Sequence, residues 1–514
     1  MNTNPLPAEP QGGQAWLRWI ERVGNRLPDP ITLFILFCGL VLALSAIGAA
    51  AGWSVVHPAT GKTIAAVNLL DAEGLRKIVT GLTSNIANFP PLFTVLVAMI
   101  GVGVAEASGL LSAVLRKMAL ATPRALLTPV VVFLSVMSSL AADVGYVVLI
   151  PLAAMLFAAA GRHPLAGLAA SFAGVSGGFS ANLLLSSLDP LLAGITEVAA
   201  RLVDPSYTVN AAANYYFMAA STLLVTAVGW WVTEKLVEPN LGAWHGKTEN
   251  VASAELSSAE QRGLRWALIA LAVLAALIAW AVIPEGAPLR DPKTGSIIPS
   301  PFLNGIVTII FIGFLVPGLA YGFGAGSFKS DRDVAKSMAD TMSTMGYYIV
   351  LSFFAAQFIA WFNWSQLGFI SAVNGADALK SLGLGPIPLM VGIILMAALI
   401  NLVMGSASAK WAVLAPVFVP MFMLVGIAPE ATQLAYRVGD SVTNIITPLM
   451  SYFPMVVAFA RKYRPDAGIG TLAAMMLPYS IALTIVWTLF LLGWLLIGLP
   501  IGPGVGLELP GFAK

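Results

Sequence analysis

The chain repeatedly runs apolar for about 20 residues with few charges, the length an α-helix needs to cross a hydrocarbon core. Such runs lie near 31–51, 90–108, 164–200, 213–234, 264–283, 302–323, 338–362, 429–460 and 471–498. Strands of a membrane barrel would alternate in polarity, so the pattern predicts an all-α polytopic membrane protein. Composition agrees: 58% of the 514 residues are apolar and 10% charged, with a mean hydropathy of +0.85. A soluble domain carries about a quarter charged residues. The 27 Lys and Arg against 25 Asp and Glu leave a net charge of +2, too balanced for a nucleic-acid footprint. Cys38 alone excludes an internal disulfide framework and a cysteine zinc site. His57, His163 and His245 are scattered and form no HExxH-type pair, so metal and histidine-base chemistry have little to use.

Two further apolar stretches, 125–161 and 387–426, are broken in the middle by small and polar residues. Each is too long for one crossing and reads as a re-entrant hairpin with its tip buried in protein near mid-membrane. With nine spans, two hairpins and a cytoplasmic N-terminus, 17 Lys and Arg fall on the cytoplasmic side and 8 outside, leaving Lys410 and Arg437 within the bilayer region. Residues 1–30 read as a cytoplasmic arm, with Arg18, Arg22 and Arg26 before the first run and Trp16 and Trp19 expected at the interface; the length of this leader argues against a cleaved signal.

Residues 141–183 align without gaps on 406–448 at an offset of 265. The pairs Pro151/Pro416, Pro164/Pro429, Gly161/Gly426 and Gly174/Gly439 carry the match, because proline and glycine decide where a helix starts, bends and ends. The charge count places the two copies upside down relative to each other, the inverted-repeat pattern of secondary transporters with sites near the midplane on broken helices.

Each copy sets a small-residue tip against an interruptible helix. The first tip holds Ser138, Ser139 and Asp143, facing Gly178 and Asn182; the second holds Ser406, Ser408, Lys410 and Trp411, facing Arg437, Asp440 and Asn444. Ser138, Ser139, Asp143, Gly178, Asn182, Ser406 and Asn444 are the candidate oxygen-rich Na⁺ site. Charges at mid-bilayer cost roughly 2.5–3.5 kcal/mol on insertion scales, so Asp143, Asp189, Lys410, Arg437 and Asp440 should face a cavity or each other. Arg437 and Asp440 are three apart and can form a local pair. Asp189, before Pro190, can cap a half-helix or carry a proton. Trp411 reads as packing or as a substrate platform. The Gly101-Val-Gly103 and Gly322–Gly326 strings follow no strand and read as close helix packing or a turn rather than a nucleotide loop.

The strings Asn401-Leu-Val-Met-Gly-Ser-Ala-Ser-Ala-Lys-Trp-Ala-Val-Leu-Ala-Pro416, Gly426-Ile-Ala-Pro-Glu430, Tyr436-Arg-Val-Gly-Asp-Ser441 and Asn444-Ile-Ile-Thr-Pro448 resemble those of the AbgT family of bacterial inner-membrane transporters, and the similarity spans essentially the whole chain. The resemblance implies a homodimer of nine-helix subunits with two re-entrant hairpins, one helix group forming a scaffold and the hairpins with their partner helices a transport core. It implies p-aminobenzoyl-glutamate and related folate breakdown products as substrates, with sulfonamide export by some members. Carried over by position, the functional residues are Ser408, Trp411, Pro429, Arg437, Asp440 and Pro448, with Asp189 as the acidic residue after the first hairpin.

On this basis the chain divides into the arm 1–30, scaffold and first core helix 31–124, a first core repeat 125–200 (hairpin 125–161, broken helix 164–200), scaffold 201–386 with a cytoplasmic connector 235–263, a second core repeat 387–460 (hairpin 387–426, broken helix 429–460), and a last helix with its tail, 461–514. The expected function is secondary transport driven by a proton gradient, a Na⁺ gradient or both, with Asp189 or Asp440 carrying a proton in the first case, Na⁺ as the coupling ion in the second, and no other cofactor. Two alternatives remain open: a channel or facilitator for small organic anions, and an intramembrane hydrolase built on Ser408 and Lys410, which only an irregular tip would bring together.

Overall fold

The computed structural model describes residues 28–56, 61–141, 144–244, 246, 255–298 and 300–509. The arm up to residue 27, Asp143, His57 and His245 lie outside the described residues.

Seven helices are long and apolar enough to cross a membrane: Pro30–Ala50, Ala72–Ala107, Tyr215–Leu241, Ser258–Val282, Ile306–Ala325, Gly346–Trp364 and Ile469–Leu496. Two further crossings are broken. The first runs Pro164–Phe172, a π turn Ala173–Gly177, an irregular stretch, then Leu188–Ala200. The second runs Pro429–Val442, a 3₁₀ turn Asn444–Ile446, then Phe453–Arg461. Local chemistry starts the helices where they start. Asp29 caps Ile31 N ahead of Pro30, and Ser257 with Glu260 and Ser330 with Asp333 form capping boxes.

Two expected boundaries are corrected, and one helix is added. The run 338–362 is two helices, Asp331–Thr344 and Gly346–Trp364; the first carries Asp331, Arg332, Asp333, Lys336 and Asp340 and is too polar for hydrocarbon. The connector 235–263 is shorter than its polarity suggests, because one helix continues to Leu241 and the Ser257 cap starts the next at Ser258. The span at 90–108 is preceded by the amphipathic helix Ala72–Ala87, whose charges hid it from an apolar-run reading. The all-helical expectation also gains one small hairpin, Ser54–Val56 paired antiparallel with Thr63–Ala65.

Both interrupted stretches are entered through sharp bends. Leu110–Leu120 meets Arg124–Leu140 at 115°, and Leu367–Ser381 meets Pro386–Asn401 at 119°. Past each tip the chain returns, through the π turn Gly145–Leu149 and Ile150–Ala159 in the first case and Ala407–Met423 in the second.

The repeat pairs adopt the same local geometry. Gly161 and Gly426 sit at φ 76° and 85°, a left-handed conformation that favours glycine. Gly161 N donates to Ala158 O and Arg162 N to Phe157 O, while Gly426 N donates to Met423 O and Ile427 N to Phe422 O, the same closing turn twice. Pro164 and Pro429 then occupy the first turn of the following helices. Gly174 and Gly439 each let that helix press on the leading arm of its own hairpin: an added Cβ would lie 2.7 Å from Val132 O in the first copy and 2.2 Å from Ile394 O in the second. Gly101 and Gly103 likewise mark close packing, against Phe311 and Thr341, as expected.

The two hairpin-closing turns are anchored differently. Arg162 binds Glu238, lies 3.6 Å from Glu234, and donates to Thr128 Oγ1 at 2.7 Å. The turn at 426–428 is instead held by the chain after the last helix: Ala428 N donates to Leu507 O and Leu509 N to Gly426 O, both at 2.8 Å.

Candidate functional site

Every residue of Pro429–Val442 is buried, although Glu430, Gln433, Arg437 and Asp440 form a polar stripe along it at helical spacing. Those side chains must therefore find partners inside the protein, and two of them form ion pairs with other elements.

Arg437 Nη1 donates to Asp189 Oδ1 at 2.8 Å, and Nη2 to Ser180 O at 3.1 Å. Asp189 comes from the second half of the first broken helix; its Oδ2 accepts from Ser186 N at 2.7 Å and from Ser186 Oγ at 3.0 Å. Asp189 thus both closes the start of its half-helix and bridges the two repeats. Lys410 Nζ lies 2.5 Å from Asp440 Oδ1 and also donates to Asn401 Oδ1. The expected local Arg437–Asp440 pair is thereby corrected, because each finds its counter-ion on a separate element that packs from a different side. Buried pairs of this kind contribute little net stability but are costly to break on one side.

Trp411 is fully buried, donates from Nε1 to Thr196 Oγ1 at 2.8 Å and stacks on Tyr436 with ring centroids 4.5 Å apart. The ring face expected as a substrate platform is therefore covered by a tyrosine in this conformation. Tyr436 OH donates to Ala407 O at 2.5 Å and lies 3.1 Å from Asp440 Oδ1, which joins the second tip to the helix behind it. Ser408 Oγ is 3.4 Å from Ser406 Oγ, and Lys410 is turned to Asp440, so the two do not form a Ser–Lys dyad. Pro429 and Pro448 shape the backbone, one opening Pro429–Val442 and the other following the 3₁₀ turn.

The seven residues grouped as one Na⁺ site sort into two sets. At the first tip Asn182 Nδ2 donates to Ser139 Oγ at 2.8 Å, Ser138 Oγ is turned to Ser135 O, and Gly178 lies in the unwound stretch next to Asn182. At the second, Ser406 caps its helix through Ala409 N, and Asn444 accepts from Asn401 Nδ2 at 2.8 Å. Asp143 is outside the described residues, and these residues hold no group of three His, Cys, Asp or Glu side chains placed for a metal ion. The two sets meet at one seam, where Asn444 Nδ2 donates to Ser176 O at 3.2 Å and Ser180 N to Ser441 Oγ at 3.3 Å.

Several site residues escaped the sequence reading. Thr196 Oγ1 bonds Gln433 Oε1 at 2.5 Å, Gln433 Nε2 donates to Asn214 Oδ1 at 2.8 Å, and Tyr207 OH donates to the buried Glu430 carboxylate at 3.0 Å. The polar stripe 430/433/437/440 was the available signal for Glu430 and Gln433. Nothing local marks Thr196, Asn214 or Tyr207. Beside the first tip, an apolar cavity of about 1040 Å³ separates Ser138, Leu140 and Tyr215 from Leu268 and Ile310.

The AbgT transporter family matches residues 15–509. The chain is 39% identical to the p-aminobenzoyl-glutamate transport protein of Escherichia coli (strain K12) over 98% of its own length and 99% of that protein. Among solved structures, the Alcanivorax borkumensis YdaH transporter superposes with a TM-score of 0.89 at 49% identity, covering 93% of this chain and all of that one. Neisseria gonorrhoeae MtrF, described as illuminating a class of antimetabolite efflux pumps, superposes with a TM-score of 0.91 at 51% identity, covering 95% and 100%. With nearly its whole length matched and its spans and hairpins in place, the chain belongs to the AbgT family of membrane transporters and is not an enzyme.

Proposed function

We propose that this transporter is a secondary active carrier of p-aminobenzoyl-glutamate-like folate catabolites and sulfonamide antimetabolites, driven by proton or Na⁺ gradients and capable of their efflux. The observation that carries the reading is the pair of buried ion pairs: Arg437–Asp189 joins the broken helices of the two repeats, and Lys410–Asp440 joins the second hairpin to its own broken helix. A substrate carboxylate suits Arg437, and an aminobenzoyl or sulfonamide ring suits the Trp411–Tyr436 stack once it opens. Asp189 and Asp440 are the coupling carboxylates. A proton on Asp189 removes its charge from Arg437 and leaves the guanidinium to the substrate, which links the two binding events. The small-residue tips suit Na⁺ coordination by Ser138, Ser139, Asp143, Gly178 and Asn182 on one side and Ser406 and Asn444 on the other.

The division into a scaffold and a moving core is part of the proposal; the cavity beside the first tip leaves space for such movement. So is the homodimer in a bacterial inner membrane with the N-terminus inside. The helix Ser258–Val282, with Trp266, Leu268, Leu271 and Trp280 exposed, offers a face for lipid or a second copy. A permanently open facilitator fits less well, because Lys410, Trp411 and Arg437 are all sealed from solvent.

The test is transport of radiolabelled p-aminobenzoyl-glutamate and a sulfonamide in proteoliposomes, with pH and Na⁺ gradients imposed separately in each direction. Accumulation under one gradient supports the carrier and names its ion. Simple equilibration under every gradient favours the facilitator, and no movement of either compound removes the substrate class.

A further inference from the structure

Six buried side-chain nitrogen and oxygen atoms among the described residues have no hydrogen-bond partner, and two of them, Arg437 Nε and Ser180 Oγ, belong to residues in contact. The residues are already joined, through Arg437 Nη2 and Ser180 O at 3.1 Å, and each is 2% exposed. Ser180 is fixed from its other side as well, its N donating to Ser441 Oγ at 3.3 Å. Asp189 occupies Nη1. The guanidinium is a planar fork whose Nε and Nη2 hydrogens lie along one edge, the edge that grips a carboxylate. Here one donor on that edge is left over, and a hydroxyl without a partner belongs to the residue the edge leans on. A buried charged donor without an acceptor is unfavourable, and native proteins rarely keep one without a role.

We infer that Arg437 Nε and Ser180 Oγ together receive one carboxylate oxygen of the substrate, which makes Ser180 a specificity-determining residue for carboxylate-bearing substrates. This rests on the carrier reading above and adds to it the place of the carboxylate: at the seam between the repeats, on the opposite side of Arg437 from Asp189, rather than at the second hairpin tip. Ser180 belongs to the irregular stretch between the halves of the first broken helix. The carboxylate would therefore bind groups from both repeats at once, and any relative movement of the two would alter its site. Substrates without a carboxyl group do not need this contact, so Ser180 separates the two substrate classes.

The full-length protein in proteoliposomes carrying Ser180→Ala tests it against p-aminobenzoyl-glutamate and sulfamethazine, which has no carboxyl group. The expected result is a KM for p-aminobenzoyl-glutamate raised about tenfold with kcat within about twofold, an unchanged KM for sulfamethazine, and restoration by Ser180→Thr; a hydrogen bond to a charged group supports a change of that size. Equal losses for both substrates would reduce Ser180 to a structural part of the seam. No loss for either would mean that the two atoms bridge through a bound water. A binding measurement separates this inference from the transport reading. Purified protein should hold p-aminobenzoyl-glutamate more tightly than its glutamate diamide, with the preference lost in Ser180→Ala. If the preference is found but nothing is transported, the carrier reading falls and the carboxylate site stands; without the preference, the site falls.

Discussion

Arg437 Nη1 and Asp189 Oδ1 are 2.8 Å apart although the residues belong to different repeats, and both are buried. Removing one leaves the other as an isolated charge. Arg437→Ala is expected to abolish transport and to destabilise the protein by about 3–5 kcal/mol, visible as a lower unfolding temperature. Asp189→Asn keeps the shape and loses the carboxylate proposed to couple to protons, so a pH gradient should no longer drive its transport. Transport still driven by a pH gradient would confine Asp189 to capping and bridging.

Trp411 is buried with its N–H bonded to Thr196 and its ring on Tyr436. Trp411→Ala should cost about 3–5 kcal/mol and eliminate transport of both substrate classes. Trp411→Phe keeps the stack and loses one hydrogen bond, about 1 kcal/mol, and should retain measurable transport. Thermal unfolding alongside uptake distinguishes lost packing from a lost platform.

Gly439 has Ile394 O where a Cβ would be, at 2.2 Å, whereas nothing lies within 4 Å of a Cβ on Gly392 in the neighbouring hairpin arm. Gly439→Ala should destabilise by about 1–3 kcal/mol and slow transport. Gly392→Ala should be neutral or stabilising by up to about 1 kcal/mol through helix propensity. Equal behaviour of the two would mean that the helix and the hairpin arm are free to move apart.

His163 Nδ1 accepts from Leu165 N at 3.2 Å and so caps Pro164–Phe172 in its neutral form, and burial holds the imidazole below the usual histidine range. The unfolded chain takes up its proton near pH 6.5, above the folded value. Stability should thus be steady above about pH 7, fall as pH drops through about 6.5, and level off below the folded value. His163→Asn keeps a capping acceptor without titration and should flatten this part of a plot of unfolding temperature against pH.

The spans and hairpins were legible because apolar length and the Pro/Gly punctuation act locally. Gly161 and Gly426, read from sequence as helix ends, close the same turn twice. The helix break at Met345 was invisible because Asp340 is the one charge in 338–362, so a window average runs straight through. At the site, Arg437, Asp440, Lys410 and Asp189 announced themselves as charges in apolar surroundings. Their pairing did not, since Arg437–Asp189 and Lys410–Asp440 are decided by how separate elements pack. Thr196 carries no local signal, since a threonine in a membrane helix is ordinary until a tryptophan N–H arrives beside it, and Ser180 is one small residue of an irregular stretch until a guanidinium does.

The turn after the first hairpin is tied by charge, through Arg162 and Glu238, in a partly exposed position, while the turn after the second is tied by main-chain bonds to residues 507 and 509. Dissolved salt weakens the first kind of tie and leaves the second almost untouched. The two ends of one symmetrical machine thus answer to different properties of the fluid that bathes them, and ionic strength becomes a dial connected to only one of them.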